Sequence, residues 1–277
     1  MNPLQIAYLG PAGTYAEAAA THVASALPPT TELLPYTTIA AVLRAVAATE
    51  VNLAVVPVEN SVEGGVSMTL DTLWQLEDLQ VQQALVLPIR HMLITTAADL
   101  QAIKVVFSHP QGLAQCQNWL AAHLPQVEQV STRSTTAELD RIREDPHAAV
   151  ISSERAAHLY QVPILIGPIN DHAENSTRFW VVGSTPSTTG TYTSLAFSLP
   201  ENCPGALLRP LQVLGDRHLN MSRIESRPTK KSAGTYVFFI DIEHPTLPHL
   251  PLEVRQELTE IAERLRFLGS YSLQTLE

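Results

Sequence analysis

Over the first 190 positions, short apolar runs alternate with stretches of helical period, the rhythm of an α/β layered fold. Gln5–Leu9 reads as a strand, and Thr14 with Glu17 forms a capping box ahead of an Ala-rich helix over residues 15–27. A helix over 39–48 leads into a strand over 53–57. Val105–Ser108 reads as a buried strand, with Ser108 and Gln111 in capping positions before a helix over 113–123. Thr135 with Glu138 repeats the box before a helix over 137–143. A strand over 148–151, a helix over 153–160 and a strand over 179–182 complete the region. In open α/β sheets, ligands gather at the carboxyl ends of strands. The loops after Leu9, Pro57, Phe107 and Ile151 are therefore where chemistry is expected.

Residues 183–192 are poor in apolar side chains and rich in turn formers, as a linker would be. Beyond them the rhythm changes to strand 194–199, helix 205–214, strand 220–227, strand 235–242, helix 252–268 and a last strand near 271–275. That βαββαβ order within fewer than ninety residues is ferredoxin-like.

Composition narrows the possibilities. The 277-residue chain is 45% hydrophobic and 16% charged, which suits two globular units rather than disorder. No apolar run approaches the roughly 18 residues of a membrane helix. No Lys or Arg precedes Arg44, so the N-terminus does not read as a signal peptide. Cys116 and Cys203 lie far apart and read as reduced thiols, which places the protein in the cytoplasm. The net charge of −10 is concentrated in residues 1–190, with 8 Lys+Arg against 17 Asp+Glu. So acidic a surface, without a basic run, argues against nucleic acid as a partner. An anionic substrate would have to be held mainly by hydroxyls, amides and helix N-termini.

Three polar constellations remain. Asn175-Ser176-Thr177-Arg178-Phe179 stands at the start of a strand, where Arg178 would need a partner that a simple turn does not supply. Glu59-Asn60-Ser61, followed by Gly64-Gly65, is either a capped loop or a binding loop. Ser108-His109-Pro110-Gln111, running on to Gln115, is either a helix cap or part of a site. Gly10-Pro11-Ala12-Gly13 lacks dinucleotide spacing, and HExxH, CxxC and GxxxxGK[ST] motifs are absent.

Together these segments resemble the prephenate dehydratase family nearly end to end. The resemblance is carried by Tyr8-Leu9-Gly10-Pro11-Ala12-Gly13-Thr14-Tyr15, Pro57-Val58-Glu59-Asn60-Ser61, Ser108-His109-Pro110-Gln111 with Gln115-Cys116, and Asn175 to Phe179. The tail resembles an ACT regulatory domain through Pro204-Gly205-Ala206-Leu207-Leu208 and Ile224-Glu225-Ser226-Arg227-Pro228. Leu208 and Ser222 stand where valine and threonine are commoner, and Gly112-Leu113 departs from the usual residues.

The resemblance implies a two-lobed, periplasmic-binding-protein-like catalytic domain over 1–184, a linker over 185–192 and a ferredoxin-like ACT domain over 193–277. It also implies no fused mutase domain, association into a homodimer or homotetramer, and no metal or cofactor. The implied reaction is decarboxylative dehydration of prephenate to phenylpyruvate, with L-phenylalanine as effector. Thr177, Arg178, Asn60, Ser108 and Gln115 would act on the substrate, supported by Glu59, Ser61, Phe179, Asn175 and Thr14. The effector would sit between Gly205, Ala206, Leu207 and Leu208 and the strand carrying Asn220, Glu225, Ser226, Arg227 and Pro228, across a subunit interface. Arogenate dehydratase and a non-enzymatic amino-acid sensor are the alternatives.

Overall fold

The computed structural model describes residues 3–232 and 234–277. The first lobe runs β1 (Gln5–Leu9), α1 (Tyr15–Ser25), β2 (Glu32–Tyr36), α2 (Ile39–Ala47), β3 (Leu53–Asn60), β4 (Gly64–Gly65), α3 (Ser67–Gln75) and β5 (Gln80–Pro88). The second lobe holds β6 (His91–Thr95), β7 (Val105–Ser108), α4 (Pro110–Ala114), α5 (Gln117–His123), β8 (Glu128–Ser131), β9 (Ala148–Ser153), α6 (Glu154–Tyr160) and β10 (Ile164–Ile166). The chain then returns to the first lobe as β11 (Ser176–Gly183), which lies antiparallel between β3 and β5. Two crossings between lobes leave a cleft between them, the two-lobed arrangement of periplasmic-binding-protein-like folds.

Strands of the first lobe are apolar on both faces because both are covered. Ile6, Tyr8, Val55, Phe179 and Val181 pack against Ala16, Ala19, Ala20 and Val23 of α1, whose small side chains bring the helix close to the sheet. Ala7, Ala54, Val56, Trp180 and Val182 face Val42 and Leu43 of α2 and Leu70 and Leu73 of α3. Each large side chain buried this way contributes about 1.5–3 kcal/mol.

The C-terminal unit is β12 (Tyr192–Ser198), α7 (Leu208–Gly215), β13 (Asn220–Pro228), β14 (Tyr236–Glu243), α8 (Leu252–Ile261) and β15 (Arg264–Thr275), a βαββαβ order. Its helices cover one sheet face, packing Val213, Leu214, Val254 and Leu258 on Leu195, Phe197 and Ile240. The opposite face carries Val237 and Phe239 into the same core as Leu70 and Leu73. β15 joins the units: its first part pairs antiparallel with β12, and Ser272–Thr275 pairs parallel with β5. Within the β12 pairing, at its register shift, stands Gly269 at φ +131, where a Cβ would come within 2.5 Å of the Val81 carbonyl oxygen. One ten-stranded sheet thus runs through both units. The turn-rich stretch is tied to it, with Ser187 and Thr188 bonded to Ser270.

Three predicted helices are corrected. The one over 252–268 ends at Ile261, because Leu265 and Phe267 alternate into the core and take sheet pairing on β12. The one over 113–123 is two short helices, since the Asp171 carboxylate accepts from the Asn118 and Trp119 amides and starts α5 afresh. Residues 137–143 form turns and a 3-10 segment at Arg141–Arg143.

Candidate active site

The interlobe cleft encloses about 330 Å³. Thr14, Asn60, Thr177 and Phe179 line it from the first lobe, and His91, His109, Gln111, Gln115, Arg133 and Thr135 from the second. Thr14 caps α1, accepting from the Glu17 amide at 3.3 Å, as the capping box predicts. A cap of this kind contributes about 1 kcal/mol.

A β-bulge sets which side chains of β3 reach the cleft. Phe179 pairs with Pro57, but Arg178 pairs with Glu59 and Thr177 with Asn60, so Val58 is the extra residue. Val55 and Pro57 face the α1 side, and simple alternation would place Glu59 there too. The bulge reverses the parity. Glu59 instead meets Arg178 on the opposite face, 3.9 Å away, while Asn60 turns toward Thr177.

The polar groups around Thr177 are ordered in one direction. Asn60 Oδ1 accepts from the Val62 and Glu63 amides, both at 3.0 Å, which fixes its NH2 on the other side. That NH2 donates to Asn175 Oδ1 (2.8 Å), the Ser176 carbonyl (3.1 Å) and Thr177 Oγ1 (3.0 Å). Asn175 Nδ2 donates to Gln115 Oε1 at 2.9 Å, and Gln115 Nε2 points at the Glu63 carboxylate, 3.4 Å away. Gln115 Oε1 therefore only accepts, so His91 Nε2, 2.9 Å from it, carries the proton. Burial lowers the pKa of the His91 imidazole from its ordinary value, against an opposing contribution from Gln115. Every amide is oriented so that Thr177 Oγ1 receives a hydrogen bond from a group that can only donate. The hydroxyl proton of Thr177 is left for the cleft.

The other predicted residues fall in different places. Asn175 is buried behind the wall of the cleft, and Ser61 holds the same segment by accepting from the Ser176 amide at 2.9 Å. Ser108 is fully buried, donates to the Ile151 carbonyl at 2.7 Å and does not line the cleft. His109 caps α4 instead, its Nδ1 accepting from the Gln111 amide. Arg178 lies outside the cleft as well. Strand alternation puts Thr177 and Phe179 in the cleft and Arg178 on the far face, where it donates to Asp241 of β14 at 3.0 Å. Asp241 is completely buried and also accepts from Arg223 (2.8 Å) and Ser194 (2.6 Å). Of the other residues lining the cleft, Tyr15, His109 and Gln111 belong to motifs marked in the sequence and Thr135 to a predicted cap, whereas His91 and Arg133 were not marked.

The effector segment likewise divides by face. Glu225 and Arg227 lie toward the first lobe: Glu225 sits on Gly65, and Arg227 donates to Asp71 of α3 at 3.0 Å, joined by Lys230 at 2.6 Å. Ile224, Ser226 and Pro228 face the other way. On that side a cavity of about 200 Å³ is lined by Gly205, Ala206, Leu207, Leu208, Tyr236 and Phe238. Asn220 stands at the far end of β13, bonded to Glu243.

The prephenate dehydratase family model matches residues 6–187. The chain belongs to the prephenate dehydratase family. An ACT domain model matches residues 193–260 of this family member. A prephenate dehydratase of Lactococcus lactis subsp. cremoris (strain MG1363) is 36% identical to it over 281 residues, 99% of each chain. The structure of prephenate dehydratase from Arthrobacter aurescens in complex with L-Phe superposes with a TM-score of 0.84 at 35% identity, covering 97% of this chain and 90% of that one. GqqA, a novel type of quorum quenching acylase, superposes with a TM-score of 0.81 at 27% identity, covering 96% and 97%.

Proposed function

We propose that this chain converts prephenate to phenylpyruvate, with Thr177 as the hydrogen-bond donor to the leaving hydroxyl. The supporting observation is the one-way amide chain that reserves the Thr177 proton for the cleft. In the reaction the bond from the ring to its carboxylate breaks and releases carbon dioxide. The electron pair enters the ring, which becomes aromatic, and the C–O pair departs on the hydroxyl oxygen. That oxygen takes one proton and leaves as water. Charge develops on it as the bond breaks, and a pre-oriented donor at that point stabilises the transition state more than the ground state. Asn60 holds Thr177, Asn175 holds Asn60, Gln115 holds Asn175, and Phe179 supplies an apolar wall. Glu59 and Ser61 fix the segment from outside the cleft, and Thr14 forms its floor at α1.

An acylase reading is less well supported by these contacts. Acyl transfer needs a nucleophile beside a base. Thr177 Oγ1 accepts a hydrogen bond from Asn60, and among the described residues no base is bonded to it; burial pushes the Cys116 thiol up to about 12.

Feedback by L-phenylalanine fits the cavity beside 205–208, where Ser226 and Pro228 would contact the effector and Glu225 and Arg227 would report its presence to β4 and α3. Leu208, Ile224 and Tyr236 are exposed on that side. A second copy covering them would make the homodimer or homotetramer and bring its own Asn220 to the cavity. The units divide as 1–184, 185–192 and 193–277, and the protein works in the cytoplasm. The test is phenylpyruvate absorbance with prephenate and with arogenate, each with and without phenylalanine. A folded chain that turns over neither substrate refutes the reading.

A further inference from the structure

The described residues lining the cleft include no Asp or Glu, although residues 1–190 carry 17 of them. They include one permanent cation, Arg133. Among the described residues Arg133 forms no ion pair, whereas Arg155 and Arg178 are committed to Glu17 and Asp241. The loop that presents Arg133 is held by its neighbours. Thr132 accepts nothing from it: its amide donates to the Ser108 carbonyl at 2.8 Å and its hydroxyl to the Ser134 carbonyl at 2.7 Å, bracketing Arg133 between two fixed residues. A guanidinium held at a cleft with no competing carboxylate is suited to receive one from a ligand.

We infer that Arg133 anchors the side-chain carboxylate of the substrate, an inference that rests on the dehydratase reading of this cleft. Prephenate carries two carboxylates at one end of its ring and the departing hydroxyl at the other. Thr177 stands on the first lobe and Arg133 on the second, so the substrate spans the cleft between them. Chemistry selects which carboxylate Arg133 holds. The ring carboxylate loses its charge as carbon dioxide forms, so a cation holding it would stabilise the reactant and slow the step. The side-chain carboxylate keeps its charge throughout, and an ion pair there strengthens substrate and transition state equally. The cleft lining offers the ring carboxylate no second permanent cation among the described residues.

Equal stabilisation of both states is read as KM rather than kcat. Arg133→Gln is therefore expected to raise KM for prephenate by about 10-fold or more, the range of a charge-assisted hydrogen bond, with kcat within about threefold of wild type. Arg133→Lys should recover part of the loss, because the charge returns without the fork. Melting temperature should be unchanged, since Arg133 is exposed and unpaired among the described residues. An unchanged KM in Arg133→Gln, or a fall in kcat at constant KM, overturns the inference. Failure of the wild-type chain to turn over prephenate would instead overturn the dehydratase reading, so the two failures are distinct.

Discussion

Replacing Asn60 by Asp reverses one hydrogen bond while leaving the side chain's shape almost unchanged. In the native chain, Asn60 Oδ1 accepts from two backbone amides, and its NH2 donates to Asn175 Oδ1, the Ser176 carbonyl and Thr177 Oγ1. A carboxylate keeps the first pair and strengthens it. Its second oxygen then faces two acceptors that previously received protons, each an unmet group costing about 1–3 kcal/mol. The only group able to answer it is the Thr177 hydroxyl, which would turn its proton away from the cleft. Loss of one transition-state donor lowers kcat by about 10²–10³-fold, and a new negative charge facing an anionic substrate adds to this. The acceptors facing its second oxygen favour the protonated form, against the two backbone amides that favour the carboxylate. Its protonated form can donate again, so the residual activity of Asn60→Asp should rise as pH is lowered while wild type does not. Phenylpyruvate absorbance across pH measures both effects. Turnover of Asn60→Asp within about threefold of wild type would refute the directional argument.

Two further outcomes follow from contacts between units. Asp71→Asn removes the partner of Arg227 and Lys230 outside the cleft; basal turnover should persist while inhibition by phenylalanine weakens, measured as a rise of several-fold in the inhibitory concentration. Glu17 of the first lobe binds Arg155 of the second at 2.8 Å; burial alone would raise its pKa, but hydrogen bonds from Arg155 and the Gly13 amide outweigh it and leave it below the ordinary 4.5. A carboxyl depressed on folding stabilises the fold above its unfolded value and loses that contribution as pH falls through the folded one. Thermal stability should therefore drop below about pH 4.5 by less in Glu17→Gln than in wild type, and equal pH profiles would count against the interlobe role.

The layered fold was legible because strands such as Gln5–Leu9 and Val105–Ser108 are largely apolar and the starts of α1 and α6 carry caps, Thr14 and Ser153, that act as their residue types predict. Period alone could not separate helix from strand at 264–268, where sheet pairing with β12 decided, nor divide 110–123, where the break depends on Asp171 some fifty residues later. The cleft was legible in the order of its loops but not in the direction of each side chain. Ser108 and Arg178 sit in motifs that do border the cleft, yet one is consumed by the Ile151 carbonyl and the other by Asp241. The bulge at Val58 has no local signature, and it alone exchanges Glu59 for Asn60 on the cleft face. His91 and Arg133 carry no motif of their own. Only the folded chain brings His91 to Gln115 and Arg133 to the opening opposite Thr177.

The central claim, that the Thr177 hydroxyl donates to the departing oxygen, is tested most directly by kcat on prephenate for Thr177→Val beside Thr177→Ser. Valine keeps the shape at the start of β11 without the hydroxyl, and serine keeps the hydroxyl without the methyl. The predicted result is a fall of about 10²–10³-fold for Thr177→Val, with Thr177→Ser within about tenfold of wild type and both variants folded by circular dichroism. Thr177→Val turning over prephenate at near the wild-type rate would contradict the account.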